Sequence, residues 1–549
     1  MDRLTAGWRG PLMAALVALL ACLPGLIAMP PLDRAEARFA QATSQMIESG
    51  DLTEPRFQDR AVHDMGPAVH WLQAATGAAF GAADSREIWP YRIPSLLAAM
   101  LAAAACAWGA AVFWGAKRGA VAGIVLASSL MLSTLDFMAT GDALLCALIT
   151  VAMAALARLY AAGREGERLR RRWKLVFWSA LAASVVVKGA IGLVIVGLTL
   201  ATLAIGDRKA GWMKRLGWAW GGILILAAAG PWAIAVTVAT DGDFWRGATH
   251  QVWRAVGGTG RFLGFPGYHL AFSPLLFFPG SLLMVAAAVS AWERREETGV
   301  RFALAWLLPA WLLFELTPGK LPHYVLPLFP AIAWLVAAAL TQTLSRAALI
   351  GGIVLSAAAA IAWSGVAVWL LSQYGDPSDQ IWASIAVLCL IAGVFIGGWF
   401  MLSREVITAL MITCALGLVA HAALSAGLAP HLKKLWPSST LVRAMHRENL
   451  DPRQGLVAGP VAVAGYRAPS LVFLLGAETE LGTPEDAARA VAEGRPAVVE
   501  ERATDAFLRA LARRGLKAQP ATTVKGYDYV RRDPISLTVY RPGPPPGRE

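Results

Sequence analysis

The sequence predicts a polytopic α-helical membrane protein that carries a small α/β domain at its C-terminal end. Three observations predict it. Hydrophobic residues fill 57% of the 549 positions and charged residues only 16%, a balance no ordinary water-soluble domain has. Apolar runs of about 18 residues or more recur along the chain, long enough to cross a bilayer. From about Pro430 onward the composition turns mixed and polar, over a length that suits one small domain.

The apolar runs give about thirteen expected spans: 11–29, 91–114, 119–135, 142–162, 173–187, 189–205, 216–240, 268–290, 301–317, 323–341, 348–371, 381–402 and 405–428. Leu12 to Met29 is followed by Pro30-Pro31 rather than a small-residue cleavage site, so it reads as an uncleaved first helix. The domains expected are a transmembrane unit over 1–429, with outer loops at 30–90 and 241–268, and a separate domain over 430–549.

The net charge of +12 does not call for nucleic acid. The basic residues cluster in alternate short loops: Lys117-Arg118, Arg164 to Lys174, Lys214-Arg215 and Arg294-Arg295. Positive residues mark the cytoplasmic side. The expected orientation therefore puts the N-terminus in the cytoplasm and the C-terminal domain on the outer side. Asp33, Glu36, His63, Asp64, Asp142, Lys188, Arg246, Arg254, Lys320 and His323 then all fall on the outer side. Ionisable residues beside a bilayer are costly, and a shared location points to a site. The five cysteines lie in or beside apolar segments without metal-ligand spacing and read as small buried hydrophobes. Most of the 22 tryptophans read as interfacial belt.

In the C-terminal part, "GLVAGPVAVAGY" and "SLVFLLG" read as strands. Thr483-Pro484-Glu485-Asp486 reads as a helix start, with a cap, a proline and first-turn acids. "PAVVEE" reads as a strand, Thr504 to Arg514 as a helix ended by Gly515, and "GYDYV" with "ISLTVYR" as a terminal hairpin. No glycine-rich nucleotide-binding loop occurs between a strand and a helix.

The chemistry centres on "LDRAEARFAQATSQMIESGDLTEP", Leu32 to Pro55. Read as a helix, it sets Asp33 and Glu36 on one face and Phe39, Ala42 and Met46 on an apolar stripe suited to the membrane surface. Two carboxylates on one face suit a base or a divalent metal ion. Helix-start acids neutralised by Arg34 and Arg38 are the plainer alternative. His63 and Asp64 are candidate metal ligands, and such an ion is the only cofactor these residues suggest. His70 reads as a satisfied core or interfacial histidine.

The same stretch resembles the first periplasmic loop of the family 39 glycosyltransferases, the dolichyl-phosphate-mannose-type and aminoarabinose-transferase-like membrane enzymes. "HWLQAATGAAFG", "IWPYRIPSLLAA", "TGDALL", "VKGAIGLVIVGLTL", "ELTPGKLPHYVLPLFPA" and "GYRAPSLVFLLG" follow in the order the family has them. The resemblance implies a GT-C architecture. It also implies transfer of a sugar from a polyprenyl-phosphate donor to a lipid, glycan or protein acceptor at the periplasmic face, lipid A modification among the possibilities. Asp33, Glu36 and Asp142 are the catalytic candidates it implies. Arg38, Lys188, Arg246, Tyr268, Lys320, His323 and Tyr324 are the substrate-binding candidates.

The chain departs from the family in three places. Ala35 stands where relatives carry the first acid of a pair. His63-Asp64-Met65-Gly66-Pro67 replaces a lysine-proline segment. Arg261-Phe262-Leu263-Gly264-Phe265 replaces a polar, histidine-containing one. These departures motivate a rival reading, a non-catalytic relative that binds polyprenyl-phosphate lipid as a partner or regulatory subunit. A transporter is the third reading. The absence of internal repeats and the one-sided charge argue against it.

Overall fold

A computed structural model describes residues 5–62, 66–207, 210–256 and 264–542. The apolar sequence folds as helices, because backbone polar groups in lipid must be satisfied within the segment. Among the described residues, nine helices are long and apolar enough to cross a membrane, or ten if the bent pair Tyr268–Leu276 and Gly280–Glu293, folded by 112°, counts as one span. Thirteen expected spans is thus more than this criterion gives. Segments 91–114 and 119–135 appear largely as one stretch, Trp89–Ser128, broken at Gly115. That residue takes φ 80, ψ 166, a backbone conformation open mainly to glycine. The two arms double back, so a Cβ on Gly119 would sit 2.5 Å from the Ala107 carbonyl. Segments 173–187 and 189–205 form the helices Arg171–Lys188 and Ile191–Asp207, the first too charged and the second too short for the criterion.

The helix Asp142–Arg164 runs through the bundle, 78% of its apolar window buried. Against it pack Trp89–Ser128, Arg171–Lys188 and the turn Pro322–Leu328. Trp306, Trp334, Phe302 and Tyr160 fill the centre. Outward-facing residues such as Phe395, Trp399 and Leu226 remain exposed, as lipid-facing side chains do.

The opening polar stretch is helical only over Ala35–Ser49. Asp33 precedes that helix, and Arg34, at φ 74, turns the chain between them. Asp33 and Glu36 therefore do not share a helical face, contrary to the sequence expectation. Phe39, Ala42 and Met46 are buried against protein instead of lying on the membrane surface.

Glu36 is the anchor of this loop. Its side chain is 0% exposed. One oxygen accepts from Arg92 Nε at 2.8 Å and the Ala139 N–H at 2.8 Å; the other accepts from Arg92 Nη2 and the Leu32 N–H, each at 2.9 Å. Arg92, also 0% exposed, donates further to the carbonyls of Leu26, Met29 and Pro30. One ion pair thus joins the first helix, the loop helix, Trp89–Ser128 and the turn before Asp142. A carboxylate with four donors has no oxygen left to act as a base.

The C-terminal domain contains a five-stranded mixed sheet. Numbering counts the small hairpin β1 (Arg56–Phe57) and β2 (Arg60–Ala61) of the first loop. Strand β3 (Ala462–Ala464) lies parallel to β4 (Glu480–Gly482) and β5 (Ala497–Glu500). Strands β6 (Pro520–Asp528) and β7 (Asp533–Tyr540) form the terminal hairpin, antiparallel to each other and joined through β7 to β5. Alternation along β5 sends Val498 to one core, with Leu441 and Leu471, and Val499 to the other, with Phe507 and Ala487. "SLVFLLG" is not a strand. Pro469 occupies the first turn of a helix, Pro469–Leu475, where its missing N–H costs nothing, and both Leu471 and Phe473 are buried. The Thr483–Asp486 capping box starts the helix Pro484–Ala492.

Removing one member of a buried ion pair strands the other charge. Arg92→Ala is expected to cost about 3–5 kcal/mol, and the double variant Glu36→Gln/Arg92→Met less than either single change. Thermal unfolding in detergent checks this. Additive losses from the two single changes would show that the pair is not coupled.

A charged site where helix ends meet

Asp142 is the first residue of the helix Asp142–Arg164, and Lys188 is the last of Arg171–Lys188. An acid at a helix N-terminus and a cation at a C-terminus each complement the helix dipole. The two ends meet, and Lys188 Nζ donates to Asp142 Oδ1. His323 Nε2 lies 3.9 Å from the same oxygen. Tyr324 follows, its ring edge-on to His323 at 5.1 Å.

The turn that carries His323 also carries Lys320, which is 6% exposed. Its ammonium donates to the Phe265 carbonyl at 3.2 Å and lies 3.9 Å from Glu315 Oε2. Tyr268 opens the helix Tyr268–Leu276 next to this group and contacts the rings of Phe265 and His269. Lys188, Lys320, His323 and Asp142, drawn from three separate parts of the sequence, thus line one region.

The first loop reaches the same region through a second helix, Pro67–Ala79. The Gly66 N–H donates to the Val187 carbonyl at 3.0 Å. A Cβ on Gly66 would fall 2.0 Å from the Val186 carbonyl, so only glycine permits this approach. One turn on, His70 is fully buried, with Nδ1 2.8 Å from Thr43 Oγ1. Burial, and then the Arg38 charge, push its imidazole down to about 4. Arg38 sits on the same loop helix, above the Phe39 ring, and burial lowers its guanidinium as well.

Other candidates lie apart from this group. Glu36 is held in the anchor described above. Arg246 is exposed and pairs with Asp243 on its own helix. Asp33 belongs to a contact with the C-terminal domain: its N–H donates to Tyr529 Oη at 2.6 Å, and the Ser470 N–H donates to its Oδ1 at 2.8 Å. Gln58 reinforces that contact by donating to the carbonyls of Ala477 and Thr479. His63 and Asp64 lie outside the described residues, as does the segment 261–263. Among the described residues, no group of three or more His, Cys, Asp or Glu is arranged to hold a metal ion. Sequence reasoning missed Arg92, Glu315 and His269. Arg92 had a signal, a lone arginine inside the apolar run "IWPYRIPSLLAA".

Burial pushes the Asp33 carboxyl up to about 6, against the lowering effect of the Ser470 hydrogen bond and with Asp528 nearby. The folded chain therefore holds the Asp33 proton more tightly than the unfolded chain, whose value is near 3.8. This contribution is present in full below pH 3.8 and is lost as pH rises through about 6. Asp33→Asn keeps the acceptor oxygen without the charge. The variant is expected to gain on wild type as pH rises from about 4 to 7, by up to about 3 kcal/mol. Thermal melts of the two proteins that run parallel across that range would contradict it.

No family model matches the chain. It is 28% identical over 320 residues to the undecaprenyl phosphate-alpha-4-amino-4-deoxy-L-arabinose arabinosyl transferase of Pseudomonas paraeruginosa, covering 57% of this chain and 56% of that protein. It is 26% identical over 317 residues to the protein of the same name from Aeromonas salmonicida, again covering 57% and 56%. The matched stretch thus spans little more than half the length of these curated relatives. The fold matches the crystal structure of ArnT from Cupriavidus metallidurans in the apo state with a TM-score of 0.74 at 19% identity, over 96% of this chain and 97% of that one. It matches the same protein bound to undecaprenyl phosphate at 0.72 with equal coverage. The chain thus has the GT-C membrane fold of ArnT and is similar in sequence, over little more than half its length, to arabinosyl transferases of this kind.

Proposed function

We propose that the chain is an inner-membrane glycosyltransferase that moves a sugar from a polyprenyl-phosphate donor to an acceptor at the periplasmic face. One observation carries this reading: Lys188 pairs with Asp142 beside His323 where helix ends meet, and the buried Lys320 lies three residues before His323, next to Glu315. The relatives named above act on undecaprenyl phosphate carrying an amino sugar, and the reading extends the lipid-phosphate part of that activity to this chain.

The chemistry follows from charge. The acceptor oxygen attacks the anomeric carbon and the carbon–oxygen bond to phosphate breaks. The departing lipid phosphate gains negative charge. Fixed cations in a site of low dielectric stabilise that charge far better than water-exposed ones do. Asp142 orients Lys188 without a separate countercharge. Arg38, near His70, is the further cation assigned to the donor side, and Tyr268 and Tyr324 supply the aromatic walls. Lipid A, another glycan and protein are all acceptors of the required chemistry.

A specific observation also favours the non-catalytic alternative: Ala35 provides no acid, and Glu36 next to it is saturated by Arg92 and backbone donors. Transfer of radiolabelled sugar from polyprenyl phosphate in proteoliposomes separates the two readings. Wild type is expected to transfer the label, and Lys320→Ala to reduce kcat by about 10²–10³-fold, the typical loss for one charge-stabilising group. Lipid binding without transfer to any acceptor would support the non-catalytic relative instead.

A further inference from the structure

Beside Lys320 lie two groups with no role in the site as described so far, His269 and Glu315. His269 is 0% exposed. Its Nε2 lies 3.1 Å from the Leu321 carbonyl. A carbonyl oxygen only accepts, so Nε2 carries a hydrogen and the neutral ring presents a bare lone pair at Nδ1. That lone pair faces Glu315 Oε2 at 3.7 Å. The other Glu315 oxygen accepts the Leu270 N–H at 3.0 Å, in the first turn of the helix Tyr268–Leu276. The carboxylate is thereby fixed with Oε2 turned toward the imidazole. Neither Nδ1 nor Oε2 has a hydrogen-bond partner, though both atoms are buried.

Two acceptors that face each other in a buried site repel unless a hydrogen lies between them. Lys320 Nζ, 3.9 Å from the same Oε2, stands too far to supply it. Other charged and titratable groups on the packed elements include Tyr268 on the same helix, His323 and Tyr324 on the turn that follows Lys320, and the Asp142–Lys188 pair beyond it. Lys188 is paired with Asp142. The arrangement is a pocket for one proton next to the cation assigned to the leaving phosphate.

We propose that His269 and Glu315 hold one proton between Nδ1 and Oε2 and that Glu315 delivers it to the departing phosphate. This makes Glu315 the catalytic acid of the chain and His269 its positioning residue. The inference rests on the polyprenyl-phosphate reading above. The step balances. The acceptor oxygen's electron pair forms the new bond to the anomeric carbon. The old carbon–oxygen pair stays on phosphate, and the Glu315 proton neutralises that oxygen. The acceptor's own proton passes to solvent, from which the pair is refilled. The sequence shows Glu315 only as the first letter of "ELTPGKLPHYVLPLFPA", and nothing in the spacing links it to His269, 46 positions earlier.

Glu315→Gln keeps the acceptor for the Leu270 N–H and can donate to Nδ1, but it cannot release a proton. The test measures binding of undecaprenyl phosphate to the full-length protein by native mass spectrometry from pH 6 to 9, alongside sugar transfer. Wild-type affinity is expected to fall with rising pH about tenfold more than that of Glu315→Gln. His269→Gln is expected to move the wild-type transition to lower pH. The transfer rate of Glu315→Gln should drop about 10²–10⁴-fold, the usual range for an acid catalyst. Identical pH dependence in wild type and Glu315→Gln, or an undiminished transfer rate, overturns the assignment while leaving the polyprenyl-phosphate reading intact. Absence of lipid binding at every pH overturns both.

Discussion

The interaction on which the rest depends is the buried pair of Glu36 and Arg92. A charge without a partner is not tolerated at this depth, and a paired one is tolerated only when its remaining hydrogen-bonding capacity is also met. Here both conditions hold, because Arg92 also caps the carbonyls at the end of the first helix and Glu36 takes up backbone N–H groups on either side of it. The pair converts a polar loop next to a bilayer into a fixed wall. That wall holds the turn at Ala139, three residues before Asp142.

From that point the site is assembled by helix ends. Asp142 begins one helix and Lys188 closes another, so each charge sits where the backbone dipole favours it. Pro322–Leu328 brings His323 to the same place, and the short link before it brings Lys320. Discontinuous elements within an apolar bundle present polar groups without exposing backbone to lipid. The C-terminal domain grips the other side of the same loop, through Asp33 with Ser470 and Tyr529 and through the edge contact of Tyr91 with Phe473. The sheet domain therefore bears directly on the loop whose second helix abuts Lys188.

Much of this was legible in the sequence, and the remainder was not for physical reasons. Apolar runs reveal helices, so Asp142 and Lys188 stood out as charges between them, while Lys320 and His323 were singled out by the family resemblance. The roles of these residues remain proposals. Backbone turns are not written in hydropathy: Asp33 looked like a partner for Glu36 until the left-handed Arg34 directed it to Ser470. Periodicity cannot separate a short buried strand from a short buried helix, and "SLVFLLG" became a helix because Pro469 starts one and Leu471 and Phe473 pack inward. Pairings between distant residues were invisible as well. Glu36 reads as a catalytic acid until Arg92, 56 positions away, fills its hydrogen-bonding sites. His269 and Glu315 gain meaning only from a distance of 3.7 Å.

The central claim is that one chamber, walled by the Glu36–Arg92 anchor, gathers the cations that meet a lipid phosphate. A cryo-electron microscopy structure of the chain with bound polyprenyl phosphate tests it most directly. The account predicts phosphate density within hydrogen-bonding distance of Lys188 or Lys320, with Glu36 still bound to Arg92. Phosphate bound away from both lysines, or a Glu36 released from Arg92 to contact the lipid, would contradict it.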